Sequence, residues 1–265
     1  MTLSEDLKSW EKRVASQELL PGLPAIARLD GKCFHAFTKD MQRPYDQEFI
    51  NWMVAITHHL AEEFNASFAY TESDEISLLW LPPTEESQLP FNGRTFKLNS
   101  ILAADASTWG CLALERHLGL SIDTHRPLFD CRSFSLPNPE KAVKYLIWRQ
   151  LDALNNALLM GAQAHYSQNK LHGKGEAELN ELLFQAGVNF NDYPACFKRG
   201  TSIQRTRISR PFTTEEIEKL PPKHEARCNP DLTVERWYFR SLDVNGFGRL
   251  TNPVPVIFHG ADPTY

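Results

Sequence analysis

The sequence predicts an α+β fold in which an antiparallel sheet is covered by helices on one face. Short apolar runs alternate with segments whose apolar residues recur at helical spacing, which indicates strands and amphipathic helices. Two of the strands are separated only by residues 72–75, too few for a parallel crossover, so they must form a hairpin. The resulting order begins β-α-β-β-α-β, which is typical of a sheet with helices packed against it.

Strands are predicted where short apolar runs stop at turn residues, and helices where one face is apolar. The predicted strands are residues 23–29, 67–71, 76–81 and 131–136. The predicted helices are residues 46–64, 94–118 and 140–160, followed by a shorter one at 176–187. A loop is predicted from Pro82 and Pro83 to residue 93, an irregular stretch at 190–198, and mostly loops and short strands after Pro211.

Composition limits the classes of protein to which the chain can belong. With 265 residues, of which 42% are hydrophobic and 23% charged, it can bury a sizeable core. A net charge of −5 argues against a protein that coats nucleic acid, although a local basic groove is compatible with it. The five cysteines show no metal-ligand spacing and are expected to be reduced. We find neither a signal peptide nor a membrane-spanning run, so we expect a cytoplasmic protein with no membrane partner.

Two aspartates lie at the ends of predicted strands that are expected to be neighbours in the sheet. Asp30 follows the first strand, and Asp74 lies at the tip of the hairpin, so their carboxylates are expected to converge. Carboxylates at the ends of neighbouring strands can hold Mg²⁺ ions. However, Asp-Gly turns and Ser-Asp-Glu hairpin tips are common, so these residues taken alone favour a purely structural role.

Residues 198–210 contain five basic residues and no acidic one. Such a segment is suited to contact with an RNA backbone, which fixes position rather than sequence. The alternative is a solvated strand or loop that offsets acidic surface elsewhere.

Several ordered motifs give the chain a resemblance to a known family. They are Arg-Leu-Asp-Gly-Lys-Cys-Phe-His at 28–35, Arg-Pro at 43–44, Glu-Ser-Asp-Glu-Ile-Ser at 72–77, Trp-Arg-Gln-Leu-Asp-Ala at 148–153 and Lys-Arg-Gly at 198–200. From about residue 5 to 205 the sequence resembles the tRNA(His) guanylyltransferase family. The resemblance implies a palm-like nucleotidyltransferase domain over residues 1–210, which adds nucleotides in the 3′-to-5′ direction. Residues 211–265 are then a C-terminal extension of unknown role.

The resemblance also implies a metal and nucleotide site. Asp30 and Asp74 would bridge two Mg²⁺ ions together with the backbone carbonyl of Gly31, and Glu75 would be a supporting catalytic carboxylate. ATP, GTP and other nucleoside triphosphates would be substrates. The residues expected to bind the nucleotide are Asp30, Gly31, Lys32, Cys33, Phe34, His35, Arg43, Ser73, Asp74, Arg94 and Lys97. Lys32 and Lys97 can equally be solvated ends of elements, and His35 a hydrogen-bonded turn residue.

The expected RNA contacts are Arg149, Lys198, Arg199, Arg205 and Arg207. On the helix at 140–160 we take Trp148 as packing in the core and Arg149 as the side chain available to RNA. The 5′ end of a tRNA is the expected partner. The resemblance further suggests a homotetramer built as a dimer of dimers.

Two departures from the family pattern affect the choice of substrate. Members that add an untemplated G to tRNA(His) carry His-Ile-Asn-Asn where this chain has Leu-Asn-Asn-Ala at 154–157. The chain therefore looks like the bacterial and phage branch, whose members rebuild truncated tRNA 5′ ends on a template. Glu72 replaces the usual Gln, which adds negative charge beside the site. A true tRNA(His) guanylyltransferase and a cyclase-like nucleotide enzyme remain the alternatives, and a non-catalytic RNA-binding protein ranks last.

Overall fold

A computed structural model describes residues 2–82 and 88–265 of the chain. The strands are β1 (Ala25–Gly31), β2 (Phe68–Glu72), β3 (Glu75–Trp80), β4 (Phe129–Ser135), β5 (Thr201–Pro211) and β6 (Thr233–Leu242). The helices are α1 (Leu3–Ala15), α2 (Phe34–Phe37), α3 (Gln47–Glu63), α4 (Thr95–Leu118), α5 (Pro139–Gln163), α6 (Gln168–Leu171), α7 (Glu176–Gln185), α8 (Ala195–Arg199), α9 (Thr214–Lys219) and α10 (Pro253–His259).

The six strands form one antiparallel sheet in the order β4-β1-β3-β2-β5-β6. The predicted hairpin is β2 and β3, and its register places Glu72 directly opposite Glu75. On the other side of β3, Asp30 of β1 is the register partner of Glu75. The C-terminal end of β1 therefore lies beside the hairpin tip, in the middle of the sheet.

Helices cover both faces of this sheet. On one face α3 and α4 pack against Leu29, Ile76 and Leu78, and on the other α5 and α10 pack against Ile26 and Leu79. The predicted α+β fold with an antiparallel sheet is confirmed, but the prediction that helices lie on one face has to be corrected. The physical reason is that β2 and β3 are buried along their whole length, so both of their faces need an apolar cover.

The main helices begin where the sequence predicts. The Asp46 carboxylate accepts the N–H groups of Glu48 and Phe49 at 3.0 and 3.1 Å and so caps α3. Asn138 caps α5 by accepting the Lys141 N–H at 2.9 Å. Of the loop predicted to run from Pro82 to Gly93, residues 83–87, Pro83 among them, lie outside the described residues, and the loop ends in a 3₁₀ turn, Pro90–Gly93.

The C-terminal part of the chain differs from its prediction. The region after Pro211, predicted as mostly loops and short strands, contains β6, which pairs with β5 over ten register positions. It also contains α10, whose Val256, Ile257 and Phe258 join the apolar cluster under α5. The domain boundary at residue 210 stays a prediction, and strand pairing crosses it. Across the described residues, no helix has the length and apolar composition that a membrane crossing requires.

Gly200 lets the start of β5 pack closely against the hairpin, and substituting it tests this packing. Its φ of +68° and ψ of −173° are accessible to glycine, and an added Cβ would overlap the carbonyl oxygen of Thr71. We expect Gly200→Ala to lower the free energy of unfolding by roughly 3 kcal/mol or more, measured by urea denaturation. Gly119→Ala is the control: its φ is +63° with open space around it, so the loss is about 1–2 kcal/mol. Equal losses would contradict the close packing at Gly200.

Candidate active site

The end of β1 and the tip of the β2–β3 hairpin are joined by a backbone hydrogen bond. The Gly31 N–H donates to the Asp74 carbonyl oxygen at 3.1 Å. Asp30 and Asp74 are thereby placed at the same end of the sheet, which is the convergence expected from the strand order. Both side chains are partly exposed there.

The charged groups around Asp30 and Asp74 differ from those around the neighbouring Glu72 and Glu75. Burial raises the pKa of the Asp74 carboxyl, and the nearby Asp30 carboxylate adds to the rise. Among the described residues, no lysine, arginine or histidine forms an ion pair with Asp30 or Asp74. Two adjacent carboxylates without a protein cation make a site that attracts a cation from solution.

Behind the aspartates, Arg149 of α5 holds the two glutamates of the hairpin. Its Nε donates to Glu75 Oε1 at 2.6 Å, and its Nη2 donates to Glu72 Oε1 at 2.8 Å. Asp152 accepts a further bond from Nη2 at 3.1 Å. Burial raises the pKa of both glutamates, and the Arg149 guanidinium opposes the rise. Arg149 therefore neutralises two like charges that the register places face to face.

The assignment of faces on α5 is corrected by this arrangement. Arg149, predicted to contact RNA, is only 6% exposed and has three carboxylates as partners, whereas Trp148, expected in the core, is 53% exposed. Leu151, one turn after Trp148 on the same helix, is 55% exposed. The reason is that α5 turns Arg149 towards the hairpin and Gln150 towards the Arg199 carbonyl at the end of α8, where their polar partners lie.

A cavity of about 450 Å³ opens beside the aspartates. Seven of the residues predicted to bind nucleotide line it: Gly31, Cys33, Phe34, His35, Arg43, Ser73 and Asp74. Its far wall comes from α5, α8 and the start of α3, with Tyr45, Ala153, Asn156, Ala157, Met160, Cys196 and Phe197. Of this wall, the sequence motifs named above contain Ala153, Asn156 and Ala157. Tyr45 and Phe197 stack with ring centroids 4.9 Å apart. These two residues are far apart in the sequence, so no local motif predicts their contact.

The turn after β1 has few free backbone donors. The N–H groups of Gly31 and Lys32 are used by the carbonyls of Asp74 and Leu128. The first N–H groups of a helix have no partner within it, so those of Phe34 and His35, two residues that line the cavity, are candidate phosphate donors. A Cβ on Gly31 would overlap the Phe34 ring, which explains the glycine at this position.

The remaining predicted site residues lie elsewhere. Asp30 is partly exposed and Lys32 is exposed, and neither side chain lines the cavity. Arg94 lies with Lys8 and Lys12 at a second, shallow cavity beside α1, and Lys97 rests over the Phe91 ring at 5.2 Å. Their predicted phosphate contacts gain no support from these positions.

The basic segment is divided between two elements. Lys198, in α8, is buried, and its ammonium group donates to the Asn191 carbonyl. Arg199, the last residue of α8, is partly exposed. Arg205 and Arg207 lie on one face of β5, with their guanidinium carbons 4.4 and 4.6 Å from the centroid of the Trp237 ring. Arg205 also donates to Asn65 at 2.6 Å, and Arg207 pairs with Glu235 at 3.3 Å.

Comparisons with known proteins identify the class of protein to which the chain belongs. A family model described as tRNAHis guanylyltransferase matches residues 4–137, and a second, described as the Thg1 C-terminal domain, matches residues 140–235. A probable tRNA(His) guanylyltransferase of Drosophila melanogaster is 32% identical over 91% of this chain and 84% of its own. The tRNA(His) guanylyltransferase of Saccharomyces cerevisiae is 30% identical over 71% of this chain and 84% of its own.

Solved structures agree with these matches. A bacterial tRNA(His) guanylyltransferase-like protein in complex with ATP superposes with a TM-score of 0.72 at 25% identity, covering 90% of this chain and 91% of that one. The corresponding complex with GTP has a TM-score of 0.66 at 25% identity, covering 89% and 90%. Together with the geometry of the site, these matches define the chain as a nucleotidyltransferase with a palm-like fold. The chain belongs to the tRNA(His) guanylyltransferase family, which confirms the resemblance found in the sequence. It is thus a transferase of tRNA processing that binds nucleotides.

The arrangement around Arg149 makes a direct prediction for stability. Arg149→Ala leaves Glu72 and Glu75 buried and opposed without a counter-charge, so we expect the free energy of unfolding to fall by roughly 3–5 kcal/mol. Arg132→Ala, whose partner Asp130 is an exposed carboxylate, should change it by less than about 1 kcal/mol. Urea denaturation of both variants measures the two losses of unfolding free energy. Similar losses would show that the buried network stabilises the protein no more than an exposed ion pair does.

Proposed function

We propose that this protein is a Mg²⁺-dependent 3′-to-5′ nucleotidyltransferase that activates the 5′ end of a tRNA with ATP and then adds templated nucleotides. The observation that carries the proposal is a pair of neighbouring aspartates, Asp30 and Asp74, that form no ion pair with a cationic side chain of the described residues, with Asp74 lining a nucleotide-sized cavity. Family membership supports the reaction class, and the bacterial relatives have been solved with ATP and with GTP.

The donor atoms fit Mg²⁺. The carboxylates of Asp30 and Asp74 and the backbone carbonyl of Gly31 would hold two ions through hard oxygen ligands. No cluster of three or more His, Cys, Asp or Glu side chains suited to a metal occurs in residues 2–82 and 88–265, so water and phosphate oxygens would complete the coordination. The ions would polarise the reacting phosphate and neutralise the triphosphate. Glu75 acts as a supporting carboxylate through its bonds to Arg149.

The chain's own groups bind and orient the nucleotide. Arg43, whose Nη2 donates to the Thr38 carbonyl at 3.1 Å, presents its guanidinium to the cavity and pairs with phosphate oxygens. The N–H groups of Phe34 and His35 and the hydroxyl of Ser73 donate to the same phosphates. The stacked rings of Tyr45 and Phe197 give the far wall of the cavity an aromatic surface.

The reaction proceeds in two nucleotidyl transfers. An oxygen of the RNA 5′-monophosphate attacks the α-phosphate of ATP, and pyrophosphate leaves, so the RNA end becomes adenylylated. The 3′-hydroxyl of an incoming nucleoside triphosphate, paired to the template base, then attacks the activated 5′-phosphate; it loses its proton, and AMP leaves. Positioning and electrostatic stabilisation supply most of the rate enhancement in such transfers.

Templated repair of the tRNA 5′ end is favoured by Leu154, which stands where members that add an untemplated G have histidine. The second candidate is addition of G to tRNA(His), and the names of the curated relatives favour it. A cyclase-like nucleotide enzyme is disfavoured because both family models cover the chain.

Contact with the tRNA backbone is proposed for the basic residues Lys198, Arg199, Arg205 and Arg207. Of these, Arg207 has the best access because it is exposed, whereas Arg199 and Arg205 are partly exposed and Lys198 is buried. A cytoplasmic homotetramer, built as a dimer of dimers, completes the proposal.

Extension of a truncated RNA tests the proposed reaction. The purified protein is incubated with Mg²⁺, ATP, the four nucleoside triphosphates and a 5′-monophosphorylated tRNA that lacks its first nucleotide. We expect one template-matched nucleotide at the 5′ end. Asp74→Asn and Asp30→Asn should each reduce the rate roughly a thousandfold, because a lost metal ligand removes several kcal/mol of charge stabilisation. Asp123→Asn, at an exposed turn, should leave it unchanged.

Full-length tRNA(His) separates the two candidates. Our proposal predicts slower addition opposite a non-pairing base than opposite a template base in the truncated RNA, measured under the same conditions. Faster addition of G to tRNA(His) would favour the second candidate, and no extension of either RNA would contradict both.

A further inference from the structure

We propose that Trp148 is the platform on which the 5′-terminal base of the RNA substrate stacks. This inference rests on the proposed function, which it deepens by assigning a contact for the RNA end. Trp148 is a half-exposed indole on the outer face of α5 that the reaction described above does not use.

Trp148 belongs to a row of exposed side chains along α5. Lys144, Trp148, Leu151 and Asn155 follow one another at spacings of three or four residues and are all exposed. Trp148 and Leu151 form an apolar strip, with exposed fractions of 53% and 55%, and Lys144 adds a positive charge one turn before. A strip of this kind next to a cation suits a flat base attached to a phosphate chain.

The indole is held rigidly although it is exposed. The guanidinium carbon of Arg149 lies over the ring, 4.6 Å from its centroid, and Arg149 is itself fixed by Glu72, Glu75 and Asp152. The Tyr145 ring contacts it at a centroid distance of 5.9 Å and a 69° angle, and the Tyr145 hydroxyl bonds to Ser77 at 2.8 Å. Protein groups thus fix the ring while about half of the residue stays open to a stacking partner.

The platform adjoins the end of the sheet where the RNA 5′-phosphate must react. Arg149, which supports the indole, donates to Glu75, the residue after Asp74 and the register partner of Asp30. On the same face of the sheet, Arg28 and Arg132 are register partners in β1 and β4, and Arg28 Nε lies 3.6 Å from Glu75 Oε2. The Arg132 side chain is 52% exposed. Arg132 pairs with the exposed Asp130 at 3.1 Å, a weak surface ion pair that a phosphate can replace, so its guanidinium is the positive charge available beside a stacked base.

An RNA base fits this surface better than an apolar protein segment does. RNA ends and single strands are recognised by stacking on aromatic rings flanked by cations, and the arrangement of Trp148, Lys144 and Arg132 provides both. Stacking on one ring is independent of base identity, as an enzyme that rebuilds different tRNA ends requires.

The test uses the full-length protein and a truncated tRNA with 2-aminopurine as its 5′-terminal base, whose fluorescence falls on stacking. At saturating RNA, we expect quenching with the wild type and its loss with Trp148→Ala, while Trp148→Phe retains part of it. The dissociation constant for the RNA should rise roughly 5- to 150-fold in Trp148→Ala. The dissociation constant for ATP should stay the same.

Trp10→Ala is the matched control, because Trp10 is 57% exposed and also carries an arginine over its ring, Arg13 at 4.0 Å, but lies on α1. It should leave both the quenching and the affinity for RNA unchanged. Undiminished quenching in Trp148→Ala would overturn the proposal. So would a smaller molar mass of this variant, measured by light scattering, if it accounts for the weaker RNA binding, because the ring would then form a subunit contact. Extension of unlabelled RNA by the wild type is scored separately, so failure of the proposed reaction is distinguished from failure of the stacking contact.

Discussion

The ion-pair network around Arg149 is the interaction on which the rest of the site depends. It connects α5 to both strands of the hairpin that presents Asp74, through bonds of 2.6 and 2.8 Å to Glu75 and Glu72. Without it, two buried glutamates would oppose each other across the hairpin and force its strands apart or take up protons. The same guanidinium supports the indole of Trp148, so the catalytic hairpin and the outer surface of α5 share one anchor.

The active end of the sheet separates two kinds of carboxylate. Glu72 and Glu75 are paired with arginines within the protein, whereas Asp30 and Asp74 form no ion pair with a cationic side chain among the described residues. Burial without a partner costs free energy, and active sites retain this cost where a ligand supplies the missing charge. Of the four acidic residues, the unpaired aspartates are therefore the ones proposed to bind a cation.

The sequence predicted the sheet and hairpin well because these depend on local patterns. The apolar run before Asp30 and the short link between β2 and β3 determine strand order, and strand order alone brings Asp30 and Asp74 together. Side-chain direction on α5 was predicted wrongly, because Arg149 is turned inward by partners on a distant hairpin that helical spacing does not reveal. The cavity wall with Tyr45 and Phe197 and the pairing of β6 with β5 likewise depend on contacts far apart in the chain.

The most direct test of the central claim is a count of metal ions bound at the aspartate pair. Mn²⁺ binding is measured by electron paramagnetic resonance with a non-hydrolysable ATP analogue present, for the wild type and for Asp30→Asn/Asp74→Asn. We predict two ions per chain in the wild type and, in the double variant, at most weak binding by the nucleotide alone. Equal binding by the two proteins would contradict the assignment of this pair as the metal site.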